Sequence, residues 1–90
     1  MESPLKNIVM DLVSAGFNAE FKSGIWEEKV CVDFGDYYAN IKKSKRWYLV
    51  DYWTGAELIV SLKIRILGNT NRDNIELVKM IKHLSEYTVS

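Results

Sequence analysis

Cysteine, histidine and proline occur once each in these 90 residues, as Cys31, His83 and Pro4. One cysteine closes no internal disulfide, and a small secreted domain ordinarily needs such staples, so a reducing, cytoplasmic compartment is expected. Zinc needs several Cys or His ligands, and one of each gives nitrogen and sulfur ligation no basis. Neither a metal nor a cofactor is expected. No apolar run is long enough to span a bilayer. The opening MESPLKNIVMDLVSAGF lacks a basic leader and spaces its apolar residues at helical intervals, so no signal peptide and no membrane partner are expected. Net charge is missing as well, because twelve cations balance twelve anions. The chain is 48% hydrophobic, far from the charged, aromatic-poor composition of disorder, and its length supports one core, hence a single domain over residues 1–90.

The neutral total hides an asymmetry. Up to Ile41, three cations face seven anions, a net of −4; from Lys42 onward nine cations face five anions, a net of +4. Such two-sidedness bears on partners more than on fold.

Ser3-Pro4 is an N-cap and first-turn signature. Leu5, Ile8, Val9, Leu12 and Val13 recur at helical spacing before Gly16, which predicts a helix over residues 4–15. The period then falls to two. Phe17, Ala19 and Phe21 alternate with polar residues up to a Ser-Gly turn, and Val30, Val32 and Phe34 alternate with Lys29, Cys31 and Asp33. A Gly35-Asp36 turn would pair Phe34 with Tyr37, Val32 with Ala39 and Val30 with Ile41, apolar against apolar throughout. The next strand is expected from about Lys45 to Trp53. Its partner turns Ala56, Leu58, Val60, Leu62, Ile64 and Ile66 one way and Glu57, Ser61, Lys63 and Arg65 the other. A two-residue Thr-Gly loop between them would bury Asp51 opposite Leu58. A three-residue loop, Trp53-Thr54-Gly55, instead sets Tyr52, Val50 and Tyr48 opposite Ala56, Leu58 and Val60 and keeps Asp51 in water. The last helix opens in GNTNRDNIE, with Asp73 and Glu76 spaced as a capping box, and buries Leu77, Val78, Ile81, Leu84 and Tyr87. The expected fold is an α+β two-layer sandwich: helix, four- to five-stranded antiparallel meander, helix, with both helices on one face of the sheet.

Chemistry has little to work with. His83 falls with Glu76 and Lys79 on the helix face away from Leu77 and Ile81, a solvated position, and Cys31 is expected on the sheet face opposite the helices, so the two do not make a nucleophile pair. Glu27-Glu28-Lys29 holds the Glu-x-Lys spacing of some nuclease cores without an Asp on an earlier neighbouring strand. Asp33 and Asp36 read as turn formers around Gly35. No glycine-rich loop links a strand to a helix, so nucleotide binding has no support. The order helix, sheet, helix resembles in topology a double-stranded RNA-binding domain. That family opens its second helix with a lysine-rich phosphate contact, where this chain has Asn71-Arg72-Asp73-Asn74.

The stretch KKSKRWYLVDYWTG, residues 42–55, is apolar on both faces of its strand. The expected register sends Trp47, Leu49 and Trp53 outward beside Ile59 and sets Lys63 across from Lys45 and Arg65 across from Lys43, with Arg46 adjoining. Three uses of this face are open: burial through a further element or a shifted register, a homodimer seam, or a docking surface. The leading expectation is a non-enzymatic protein-binding module, an inhibitor, adaptor or regulator of the compact kind that viruses and mobile elements encode. The alternative partner is nucleic acid, with phosphates on Lys43, Lys45, Arg46, Lys63 and Arg65 and a base stacked on Trp47.

Overall fold

The computed structural model describes residues 4–87. Helix α1 runs from Pro4 to Ser14 and buries Leu5, Ile8 and Leu12 with Val9 half covered. Val13, expected in the core, is 54% exposed, because the buried stripe is only one residue wide at that turn. Gly16, at φ +94°, ends the helix. The N–H of Phe17 reaches back to the Leu12 carbonyl and that of Gly16 to Val13, the paired bonds of a left-handed glycine stop. Phe17 is thereby turned onto the core where β1 begins.

Five strands follow in sequence order, each antiparallel to the one before: β1 Asn18–Ser23, β2 Glu28–Asp33, β3 Tyr37–Lys43, β4 Trp47–Thr54 and β5 Glu57–Arg65. The β2–β3 hairpin has the register read from the sequence, with Val30 against Ile41 and Val32 against Ala39. Gly35 carries the positive φ of +99° that its two-residue turn demands, and Asp33 Oδ1 accepts the Gly35 N–H at 2.8 Å.

The β4–β5 hairpin differs from expectation. Its turn is Gly55-Ala56, with Thr54 paired to Glu57 and Gly55 at φ +59°; Trp53 and Thr54 belong to β4. Carried on unbroken, that turn would set Val50 against Ser61 and Tyr48 against Lys63, driving a hydroxyl and an ammonium into the core. Instead the ladder slips between Tyr52 and Trp53: Trp53 pairs with Leu58 but Tyr52 pairs with Val60, and Ile59 is the extra residue of a bulge. Beyond it Val50 meets Leu62 and Tyr48 meets Ile64. Strict alternation from Ala56 to Ile66 therefore fails at its start. Ala56 lies in the turn, and Leu58 stands on the outer side beside Trp53.

The buried residues of both helices, Leu5, Ile8 and Leu12 with Leu77, Ile81 and Leu84, form one cluster with Val30, Val32, Ala39, Ile41, Tyr48, Val50 and Tyr52 from a single face of the sheet. Each such aliphatic side chain contributes about 1.5–3 kcal/mol by leaving water. At the end nearest the Gly35 turn the core becomes aromatic, with Tyr37 stacked on Tyr52 at 5.6 Å and Phe34 edge-on between Tyr52 and Phe17. The helices also touch directly, Asn74 Nδ2 donating to Asp11 Oδ2 at 2.9 Å. Among the described residues no helix is long and apolar enough to cross a membrane.

Helix α2 spans Thr70–Tyr87 and starts a turn earlier than the Asp73–Glu76 box implies. Asn69 caps it, its Oδ1 accepting the Arg72 N–H at 3.2 Å. Asp73 has another task. Buried at 4% exposure inside the first turn, it accepts the N–H groups of Leu67 at 3.0 Å and Gly68 at 3.2 Å, locking the β5–α2 connection onto the helix. The expected contribution of Tyr87, like that of Ser3, falls outside the side chains described.

Two stability measurements follow from this corner. Replacing Asp73 by Ala strands two backbone donors and is expected to cost about 1–3 kcal/mol, seen as a lower urea midpoint at unchanged m-value. Burial first, and the nearby Asp73 charge second, raise the Tyr48 pKa above its ordinary 10.0. The folded chain then keeps a proton that the unfolded chain releases near pH 10, so stability is complete below that pH and falls above it. The fall should shrink in Tyr48→Phe; an unchanged alkaline limb would refute the assignment.

Candidate binding surface on the outer face of the sheet

Cross-strand pairing sorts the outward side chains into rows running perpendicular to the strands. The row nearest the Gly35 and Gly55 turns is Asn18, Asp33, Tyr38, Trp53 and Leu58. Next comes Glu20, Cys31, Asn40, Asp51 and Ser61, in which Cys31 Sγ donates to Asn40 Oδ1 at 3.1 Å and Ser61 Oγ to Asp51 Oδ1 at 2.8 Å. The third row contains Lys22 paired with Lys29, then Lys42 paired with Leu49, which pairs with Lys63. Last, Trp47 is paired with Arg65. The sign of the face changes between the second row and the third. Within these rows every charged side chain before that line is an anion and every one after it is a cation; beyond them, Glu27 stands as an anion at the basic end, paired with Lys42.

This arrangement splits the expected aromatic patch. Trp53 lies in the acidic half, stacked on Tyr38 with ring planes 6° apart, and its Nε1 is buried without an acceptor. The Tyr38 hydroxyl is itself tied to the Gly55 carbonyl at 3.0 Å, so this pair braces the β4–β5 turn and offers little free ring. Ile59 at the bulge and Leu58 are exposed beside it. Trp47 lies at the far, basic end, 39% exposed, with Lys63 Nζ 5.7 Å from its ring centre, and half-buried Leu49 stands between Lys42 and Lys63.

The expected pairings of Lys63 with Lys45 and Arg65 with Lys43 do not form. The Gly55-Ala56 turn and its bulge displace β5 by four residues from the expected register, so Lys63 meets Leu49 and Arg65 meets Trp47. Lys43 pairs with Tyr48 at the end of β3, in phase with the core-facing residues, while Lys45 and Arg46 sit in the β3–β4 turn. The Arg46 carbonyl accepts the Ile66 N–H at 2.8 Å, holding that turn beside the end of β5. All five cations still gather at one end of the sheet.

Two features went unread in the sequence. Lys22, Lys29 and Lys42 complete the basic row, although Lys22 and Lys29 come from the acidic half of the chain. Their register was invisible because the β1–β2 turn has no turn-forming pair at its centre. Gly24 N–H closes on the Glu27 carbonyl at 2.8 Å, leaving Ile25 and Trp26 at the tip, 92% and 94% exposed. A hairpin tip ordinarily carries Gly, Asn or Asp, whereas two large apolar residues stand here in water. Glu27 ties the tip to β3 through a 3.2 Å ion pair with Lys42. Between this tip and the β3–β4 turn runs a cleft of about 800 Å³, lined by Leu5, Ile25, Trp26, Leu49, Lys42, Lys43 and Lys45 among others.

His83 is exposed on α2 and Cys31 half-buried on the outer sheet face, on separate elements. Among the described residues no three His, Cys, Asp or Glu side chains gather as metal ligands. Compared with protein-family models, curated proteins and solved structures, the chain matches none.

The three tryptophans should differ in acrylamide quenching of their fluorescence. Trp26→Phe is expected to remove most of the quenchable emission and Trp47→Phe a smaller part, whereas Trp53→Phe should leave the remaining emission more quenchable. A dominant accessible Trp53 would contradict this geometry.

Proposed function

We propose that this chain is a non-enzymatic protein-binding module, an inhibitor, adaptor or regulator, that docks through the basic end of its outer sheet face and the Ile25-Trp26 tip. The observation that carries the reading is the sorting of that face by sign, with Trp47 and Leu49 set among the cations. Trp47 and Leu49 offer aromatic and aliphatic area, Trp26 shares a cleft with Leu49, cations occupy the rows of Leu49 and Trp47, and anions stand in the rows next to them. Tryptophan next to arginine is the combination on which binding energy concentrates, and ordered charge of both signs selects one partner surface and one orientation. A protein surface can match both signs. A nucleic acid presents only one and would be repelled by Glu20, Asp33 and Asp51.

Nucleic acid is the second reading, favoured by one observation. Lys22 and Lys29 are directly opposite one another, and Lys42 and Lys63 continue their row. Like charges so placed are destabilising, and a phosphate track would relieve them.

Fluorescence anisotropy with labelled single- and double-stranded DNA and RNA separates the two. The protein reading expects no complex at low salt. Micromolar binding that weakens with a log–log salt slope of roughly −3 would overturn it, since that slope corresponds to about four phosphates neutralised. Capture of a partner from the cells that make the chain should persist at high salt, fail for Trp26→Ala and Trp47→Ala, and survive Trp53→Phe.

A further inference from the structure

The two edges of the sheet are protected unequally. β1 is six residues long and lies under α1, which packs across β1 and β2. β5 is nine residues long and α2 touches it only lightly. The consequence shows in burial. Tyr48, Val50 and Tyr52 of β4 are closed to solvent, while their partners Ile64, Leu62 and Val60 on β5 are only half-buried. On its outer side β5 carries exposed Lys63 and Arg65. Antiparallel pairing to β4 uses the backbone groups of alternate residues, leaving those between them directed away from the sheet.

We infer that the free edge of β5, from Val60 to Arg65, receives an extended acidic segment of the partner as a sixth strand. This rests on the protein-binding reading above and names the chemistry of the partner segment. Six residues of ladder correspond to about 20 Å of strand. Strand addition takes affinity from main-chain hydrogen bonds and specificity from alternate side chains. Here one face of the incoming strand lies beside Val60, Leu62 and Ile64 and calls for apolar residues. The other lies beside Ser61, Lys63 and Arg65 and calls for carboxylates. The required pattern is therefore an alternation of Asp or Glu with Val, Ile or Thr.

The same charges argue against a second copy as the occupant. A two-fold pairing centred on Lys63 sets the two Lys63 side chains directly opposite, and one centred on Leu62 sets them diagonally on one face. The bulge at Ile59 interrupts a longer overlap.

The test titrates the full chain, ¹⁵N-labelled, with a ten-residue peptide alternating Glu with Val and Thr. Comparison peptides carry Lys in place of Glu, or N-methyl groups on every second residue in each of the two phases. Amide shifts centred on Val60–Arg65 are expected, with no binding of the Lys peptide. Affinity should drop at least tenfold for the N-methyl phase that faces the edge, and preference should invert in K63E/R65E. The inference is overturned by equal binding of both N-methyl phases, by shifts centred on Lys22, Lys29 and Lys42, by self-association through β5, or by no binding at low salt. In each of those cases the protein-binding reading still stands if partner capture depends on Trp26 and Trp47. A nucleic-acid salt slope removes that reading whatever the peptides do.

Discussion

β5 keeps its lysine and arginine out of the core only because it carries one residue too many. The Gly55-Ala56 turn and the inside–outside alternation of β4 are mutually out of phase, and strict pairing would put Lys63 against Tyr48. Burying an unpaired ammonium costs far more than one interrupted rung of a ladder. The bulge at Ile59 resolves that conflict. The rest of the β5 surface follows from it: Lys63 lies over Trp47, Arg65 beside it, and Ser61 bonds Asp51.

The face so built is electrically ordered in space in a way the chain is not ordered in sequence. The net charge changes sign at residue 42, yet Lys22 and Lys29 from the acidic part join Lys42 and Lys63 from the basic part in one row. An antiparallel meander does this naturally, because positions equidistant from a turn become neighbours. On β1 and β2 the outward charge thus changes from anion to cation toward the same end of the sheet.

How much of this was legible depends on the turns. Where a turn declared itself through Gly35-Asp36, register and inward residues could both be read, since every inward residue met an apolar partner. At Gly55 the same reasoning reached the right faces for Tyr48, Val50, Tyr52 and Asp51 and the wrong partners for them. Alternation fixes parity, and a bulge restores parity while changing the count. At the first hairpin the Ser-Gly turn read from the sequence falls ahead of the actual tip, since Ser23 ends β1 and Gly24 closes on Glu27 around Ile25-Trp26, so that hairpin had no register and its lysines no neighbours. Asp73 was recognisable as a helix-start residue, but its actual acceptor role depends on where the chain arrives from β5. Trp53 could be assigned to the outer face but not to its stack on Tyr38, which is a cross-strand fact.

Each strand pairs with its neighbour in sequence, and all four turns centre on two residues, Ile25-Trp26, Gly35-Asp36, Lys45-Arg46 and Gly55-Ala56. Ring closure by short loops costs little chain entropy, so the sheet can be assembled hairpin by hairpin without any distant segment having been found first. The bond between Asp11 and Asn74 spans 63 residues, the widest separation among the side-chain hydrogen bonds described. In free chain that closure would be the most expensive step. After the meander has formed, the sheet has already carried the two helices to the same core, and the contact closes over a short remaining distance.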